Sequence, residues 1–226
     1  MNFLIWNTRG AAKREFGGAL KSLVRKNNVD IIVLLEPRTQ SGVCNKLLKK
    51  LGYDSSAVEE AVGFAGGIWI MRHSKRVEIV VISKTAQLIH CNVKMPSGGD
   101  FNEIAFTHEN KGGVMADSSR CAKFASVLDE CKVTDMGCDG SPFTWQGPKW
   151  ANLDRIFKRL DRVVANLDWR IMCDEARVSS LPGLLSDHNP LLIKLFEDDK
   201  DSRMRPFQFF AVWQEHHLFN DFLKAK

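Results

Sequence analysis

The sequence predicts an α/β (α+β) fold, a four-layer sandwich in which strands and helices alternate and loops carry the polar residues. Three observations lead there. Two continuous apolar runs, Phe3–Trp6 and the IIVLLEP stretch Ile31–Pro37, read as buried strands, the first ending at Asn7 and the second at Glu36. Between them Phe16, Leu20, Leu23 and Val24 fall at helical spacing, so the unit is strand, helix, strand. Further apolar runs then recur along the chain, separated by polar loops.

Those runs cover Gly67–Met71, Val77–Ile82 and Gln87–Val93, and each reads as a strand. Ser118–Cys131 reads as an amphipathic helix, with Cys121, Phe124, Ala125 and Leu128 on one face and Ser118 or Ser119 as its cap. Lys158–Asn166 is an apolar strand with Asp161 at its start, and Trp169 follows in a short helix. Ala176–Leu181 and Pro190–Leu195 are late strands flanking a polar loop. The first domain is expected to span residues 1–195. The charged stretch 196–206 reads as a linker, and 207–226 as a helical tail with aromatics at Phe207, Phe210, Trp213 and Phe219.

Length allows one domain with a sizeable core. Apolar residues make up 44% and charged residues 26%, the balance of a soluble globular protein. A net charge of +5 suits a polyanionic partner without identifying one. Six cysteines are scattered with no CxxC pair, which argues against a zinc ribbon and points to free thiols in a reducing, intracellular compartment. No signal peptide and no run of membrane-spanning length is read from the sequence.

Two strings concentrate chemistry: GGDFNEI at Gly98–Ile104 and SDHNP at Ser186–Pro190. Asp100, Asn102, Asp187 and His188 are the residue types that phosphodiester hydrolysis needs: carboxylates to hold a divalent metal and activate water, an amide to orient, an imidazole to donate to phosphate oxygens. Glu36, closing an apolar strand, would be costly unless paired, which makes it a metal-ligand candidate; a surface Glu at a turn before Pro37 is the plainer alternative. Asp100 and Asn102, two apart, would point the same way on an extended segment; an Asx turn after Gly98–Gly99 is the alternative. Trp145 either lines a groove or anchors its loop to the core.

Six motifs in order, WNTRG, LLEPRT, GGDFNEI, SPFTWQGP, KRLDRVVAN and LSDHNP, resemble the endonuclease/exonuclease/phosphatase superfamily. More closely they resemble the apurinic-endonuclease-like domain that opens plant non-LTR (LINE-type) retrotransposon proteins, and RPFQFFAVW is similar to the segment by which that domain leads into the reverse transcriptase. The resemblance implies two packed mixed sheets with helices outside, a DNA-nicking activity, Mg²⁺ (or Mn²⁺) as cofactor, DNA as partner, a nuclear location and a monomer. It implies Glu36, Asn7 and Asp187 at the metal, and Asp100 acting on the attacking water. Asn102 would hold the phosphate or that water, and His188 would donate to the phosphoryl oxygens with Asp161 on its other ring nitrogen. Asn7, Thr144, Trp145 and Arg162 are assigned to substrate, the last with Arg9, Arg38, Arg155 and Arg159 in a basic rim.

The pattern breaks once. Relatives carry a tyrosine-bearing strand, a helix and an apolar strand ahead of GGDFN, where this chain has only Lys94–Ser97; its one tyrosine, Tyr53, comes far too early to match. Part of one sheet is therefore expected to be missing, with an exposed edge beside GGDFN and a disturbed bed under Asp100.

Overall fold

Two faces of one strand set the architecture. In β1 (Asn2–Asn7) Phe3 and Ile5 point one way and Leu4 and Trp6 the other, and all four are buried. Phe3 and Ile5 join a core between two layers of sheet; Leu4 and Trp6 join a second core beneath helices. The computed structural model describes residues 1–62, 66–85, 88–92, 97–149 and 154–195. The expected linker at 196–206, the helical tail at 207–226 and Lys94–Pro96 of the short link lie outside the described residues.

Helix α1 (Phe16–Lys26) follows β1 and seats Phe16, Leu20 and Val24 in the second core. Strand β2 (Ile31–Leu35) then runs parallel to β1, from Phe3 opposite Ile31 to Asn7 opposite Leu35. Helix α2 (Ser41–Leu51) and β3 (Ser55–Glu59) come next; α2 buries Cys44 and Leu47 and ends at Gly52, whose φ of 84° is the left-handed stop that glycine favours. Strand β4 (Ile68–Arg72) pairs antiparallel with both β2 and β3. Among the described residues the large mixed sheet has seven strands, in the order Asp139–Gly140, Arg177–Ser180, Leu191–Lys194, β1, β2, β4, β3.

The facing layer is in pieces among the described residues. The hairpin of β5 (Val80–Thr85) and β6 (Leu88–Asn92) forms a two-stranded sheet. Strand β7 (Ser97–Asp100) pairs with Asp161–Ala165, which also pairs with Thr134–Asp135. A third small sheet holds Trp145–Gln146, Phe157–Lys158 and Asn110–Lys111. As expected, β7 lies at an edge of its sheet among the described residues. Its bed is better ordered than the sequence implied. A Cβ on Gly98 would lie 2.9 Å from Ile5 Cδ1, so the missing side chain is what lets β7 close onto β1.

Helix α3 (Ser118–Glu130) is present, but its cap is Asp117, whose carboxylate accepts the Ser119 and Arg120 N–H groups. Of its apolar face only Cys121 is buried. Helix α4 (Leu167–Met172) buries Trp169 in the inter-sheet core. Tyr53 is structural: its hydroxyl donates to Val29 O at 2.5 Å and its ring stacks on His73. No helix among the described residues is long and apolar enough to cross a membrane.

Candidate active site

Adjacent parallel strands deliver adjacent strand ends. Because β1 and β2 run in register, Asn7 and Glu36 emerge side by side, and the loops after them stay joined: Thr8 N–H donates to Leu35 O, Gly10 N–H to Glu36 O and Ala11 N–H to Pro37 O. The Asn7 amide nitrogen donates to Glu36 Oε1 at 3.2 Å and to Asp100 Oδ2 at 2.9 Å. One buried side chain thus brackets two carboxylates from different layers. The Asn7 oxygen accepts the Arg9 N–H instead, so Asn7 presents donors, not an oxygen ligand, to the carboxylates.

Asp100 continues into a dyad. It lies opposite Asp161 in the β7 pairing, and its Oδ2 stands 3.7 Å from His188 Nε2. His188 Nδ1 hydrogen-bonds Asp161 Oδ2 at 2.9 Å. Asp100, Asp161 and His188 each place one oxygen or nitrogen within 4.8 Å of the others. Thr144 fixes the dyad from below, its hydroxyl accepting the N–H groups of Leu160 and Asp161 at 3.0 and 2.9 Å. The SDH loop is tied to β1: the Ser186 hydroxyl donates to Asn7 O and accepts the His188 N–H, and Trp6 Nε1–H donates to His188 O.

His188 is fully buried, and its Nε2 has no hydrogen-bond partner among the described residues. A buried polar atom left open costs free energy unless something outside the chain fills it. Burial pulls the imidazole pKa down, but the hydrogen bond and charge of Asp161, then the charges of Asp100 and Asp187, outweigh it and hold the pKa above its ordinary value. At Glu36 burial likewise opposes ionisation, and hydrogen bonds from Arg38 and Asn7 with the charges of Arg38 and Arg9 overcome it, so its pKa is lowered. Four of the six non-glycine residues with positive φ among the described residues are here: Arg9, Glu36, Arg38 and Asn102. Each costs roughly 1–2 kcal/mol, a concentration of strain typical of working sites.

Several residues expected at this site stand elsewhere. Thr144 is 1% exposed and supports Asp161 rather than lining a groove. Arg162 is also 1% exposed and is paired with Glu109 and Asp135, so it cannot reach a substrate. Arg159 is held by the same two carboxylates, and Arg155 donates to Gly147 O. The basic rim beside the carboxylates reduces to Arg9 and Arg38. Trp145 anchors its loop: it packs on the Ile104–Cys121–Leu160 cluster and donates Nε1–H to Asp187 Oδ2 at 2.9 Å. Asp187, also 3.5 Å from Arg9 Nε, lies outside the Asp100–Asp161–His188 trio, as does Glu36. Asn102 is not extended; at φ 53° it closes an Asx turn, its N–H donating to Asp100 Oδ1 at 2.9 Å. The sequence reading missed Ser186, although it sits inside the SDH string, and Glu109, for which the sequence offers no signal.

A family model for the Endonuclease/Exonuclease/phosphatase family matches residues 4–188, and the chain belongs to that family. Similar solved structures include the endonuclease domain of TRAS1, a telomere-specific non-LTR retrotransposon (14% identity over 88% of this chain and 99% of that one, TM-score 0.60). The 3′ phosphatase NExo from Neisseria, bound to a product DNA hairpin, is similar at 17% identity over 87% and 99% (TM-score 0.64). The AP endonuclease LMAP from Leishmania major follows at 10% over 85% and 86% (TM-score 0.63). At identities this low the likeness shows a shared fold and nothing more. No curated protein sequence gives a significant match.

Proposed function

We propose that residues 1–195 form a DNA-nicking, divalent-metal-dependent phosphodiesterase domain of the non-LTR retrotransposon kind, resembling the plant LINE type and acting in the nucleus. The observation that carries the reading is the open Nε2 of a fully buried His188, backed by Asp161 and turned toward Asp100. The six ordered motifs and the retrotransposon endonuclease among the similar structures support the origin.

The residues divide the work. Asp161 accepts from Nδ1, which leaves Nε2 of the imidazolium to donate to phosphoryl oxygens as their charge grows. Asp100, anchored by Asn7 and by the Asn102 N–H, orients and deprotonates the attacking water. Glu36 and Asp100 flank one amide nitrogen, and this hard-oxygen donor set fits Mg²⁺ (or Mn²⁺), which keeps most of its waters. When bound, such an ion polarises the phosphodiester and offsets developing charge. The short Lys94–Ser97 link, read as an internal deletion, leaves no tyrosine to help at the phosphate. The rate is therefore expected to fall below that of a relative with the full sheet.

A supercoiled-plasmid nicking assay with Mg²⁺ or Mn²⁺, with and without chelator, tests the activity directly. Metal-dependent nicking supports the reading; binding without nicking by protein that takes up metal leaves a nucleic-acid-binding remnant. Glu36→Gln is expected to weaken Mg²⁺ binding and to lower nicking. An unchanged Mg²⁺ titration removes Glu36 from the metal site.

One observation favours a second reading, hydrolysis of a small soluble phosphoester: Arg159 and Arg162 are withdrawn from the rim that would grip a DNA backbone. Salt separates the two. Binding to DNA should weaken linearly on a log–log plot of affinity against salt, because each Lys or Arg contact releases counterions. Salt-insensitive activity confined to a small phosphoester would favour the phosphatase.

A further inference from the structure

We infer that Arg38 is a built-in counter-cation of the metal site: its guanidinium neutralises Glu36 while no divalent ion is bound, and is released toward the substrate phosphodiester when one binds. This rests on the reading of Glu36 as a metal-holding carboxylate.

The geometry is specific. Arg38 Nε donates to Glu36 Oε2 at 3.1 Å and its Nη2 forms a second, shorter bond to the same oxygen. Asn7 takes the other oxygen, Oε1. Glu36 thus has both oxygens occupied by donors of its own chain, one neutral and one cationic. A divalent ion drawn to this carboxylate competes with the guanidinium for its charge, and one that takes Oε2 as well as Oε1 displaces it.

The arginine is free to leave. Its side chain is 35% exposed, and it stands two residues beyond Glu36 in a loop where both residues hold positive φ. That loop is fixed at Glu36 and Pro37, whose carbonyls accept from Gly10 and Ala11, so Arg38 can turn without moving Glu36. A guanidinium released beside the carboxylates has a planar fork of donors that matches a phosphate. With Arg162 buried and Arg159 held in ion pairs, Arg38 is one of two rim arginines at this point. The other, Arg9, sits more loosely, at 3.5 Å from Asp187. Metal and nucleic acid therefore bind cooperatively: the ion expels the arginine, and the phosphodiester receives it.

The test is calorimetric and needs no turnover. Mn²⁺ is titrated into wild type, Arg38→Ala and Arg38→Lys, each first checked for a native melt. Removing the competitor should tighten Mn²⁺ binding about tenfold in Arg38→Ala, a coupling of the usual size. Arg38→Lys, which cannot fork onto one oxygen, should fall between. In parallel, a phosphorothioate oligonucleotide that resists cleavage is bound with and without Mn²⁺. The metal should raise its affinity in wild type, and by a smaller factor in Arg38→Ala, which has no guanidinium to release. Equal or weaker Mn²⁺ binding in Arg38→Ala overturns the inference. If that variant does not fold, Arg38→Lys binding Mn²⁺ no tighter than wild type does the same. Wild type that binds no Mn²⁺ overturns the reading of Glu36 itself, which distinguishes the two failures.

Discussion

His188→Asn should remove phosphodiester cleavage almost entirely, by a factor of about 10²–10⁴, the usual loss when a positioned proton donor is deleted. Asparagine keeps a polar group near Asp161 but offers nothing at the Nε2 position, so the loss should fall on kcat more than on substrate binding. The pH behaviour follows from the dyad. His188 is held above the ordinary histidine pKa by Asp161 first, then Asp100 and Asp187, against the pull of burial. A raised folded-state pKa means the stability it contributes is fully present below the unfolded value and is lost as pH rises through the folded one. NMR titration of the metal-free protein should therefore place His188 above 6.5, with the melting temperature falling through that window in wild type and not in His188→Asn. A His188 pKa below 6.5 would show that the carboxylates do not outweigh burial. Wild-type cleavage by His188→Asn would remove the residue from the reaction.

Much of this site was legible because strand ends announce themselves. An apolar run that stops at one polar residue, as at Asn7 and Glu36, leaves that side chain at the rim of a sheet. The parallel pairing of β1 and β2 then makes the two neighbours. GGDFNEI was legible for a related reason. Gly98 permits close approach to Ile5, and Asp100 is the next inward position along β7. Of the two readings of Asp100 and Asn102, the Asx turn is the one that forms, and Asp100 still reaches Asn7. Asp100 offers Oδ1 to Asn102 and Oδ2 to Asn7.

What failed was direction. Arg162 follows Asp161 in a strand, so period-two alternation alone sends it to the face opposite the dyad, where it pairs with Glu109 and Asp135. The sequence reading passed over α2, although Cys44, Leu47, Leu48 and Leu51 carry helical spacing. No comparable signal existed for Glu109. It lies in an irregular, polar stretch, and only the tertiary fold brings two arginines to it. Thr144 is the same kind of case. A threonine in SPFTW reads as a surface hydroxyl until the strand it supports is seen.

The Glu109 network should prove the most stability-critical polar feature among the described residues. Glu109 is 4% exposed and accepts hydrogen bonds from Arg162, Arg159 and the N–H groups of Ala105 and Phe106. With Asp135 it forms a neutral group of two carboxylates and two guanidinium groups. It joins the loop leaving GGDFN to the strand that carries Asp161. Glu109→Ala leaves Arg162, fully buried, with half its compensation, which should cost about 3–5 kcal/mol, a large share of a domain's ordinary 5–15 kcal/mol. A urea melt reads this directly. Acid gives an independent check. Burial opposes the charge on Glu109, yet the bonds and charge of Arg162, then Arg159, bring its pKa from 4.5 down to about 2. A lowered folded-state pKa means the stabilisation is present above 4.5 and is lost as pH falls from there toward 2, on the order of 3 kcal/mol in all. Glu109→Gln should flatten that acid limb while unfolding more easily at neutral pH. If Glu109→Ala melts within about 1 kcal/mol of wild type, the network does not hold the Asp161 strand in place. The position of the dyad would then rest on Thr144 and the β7 pairing alone.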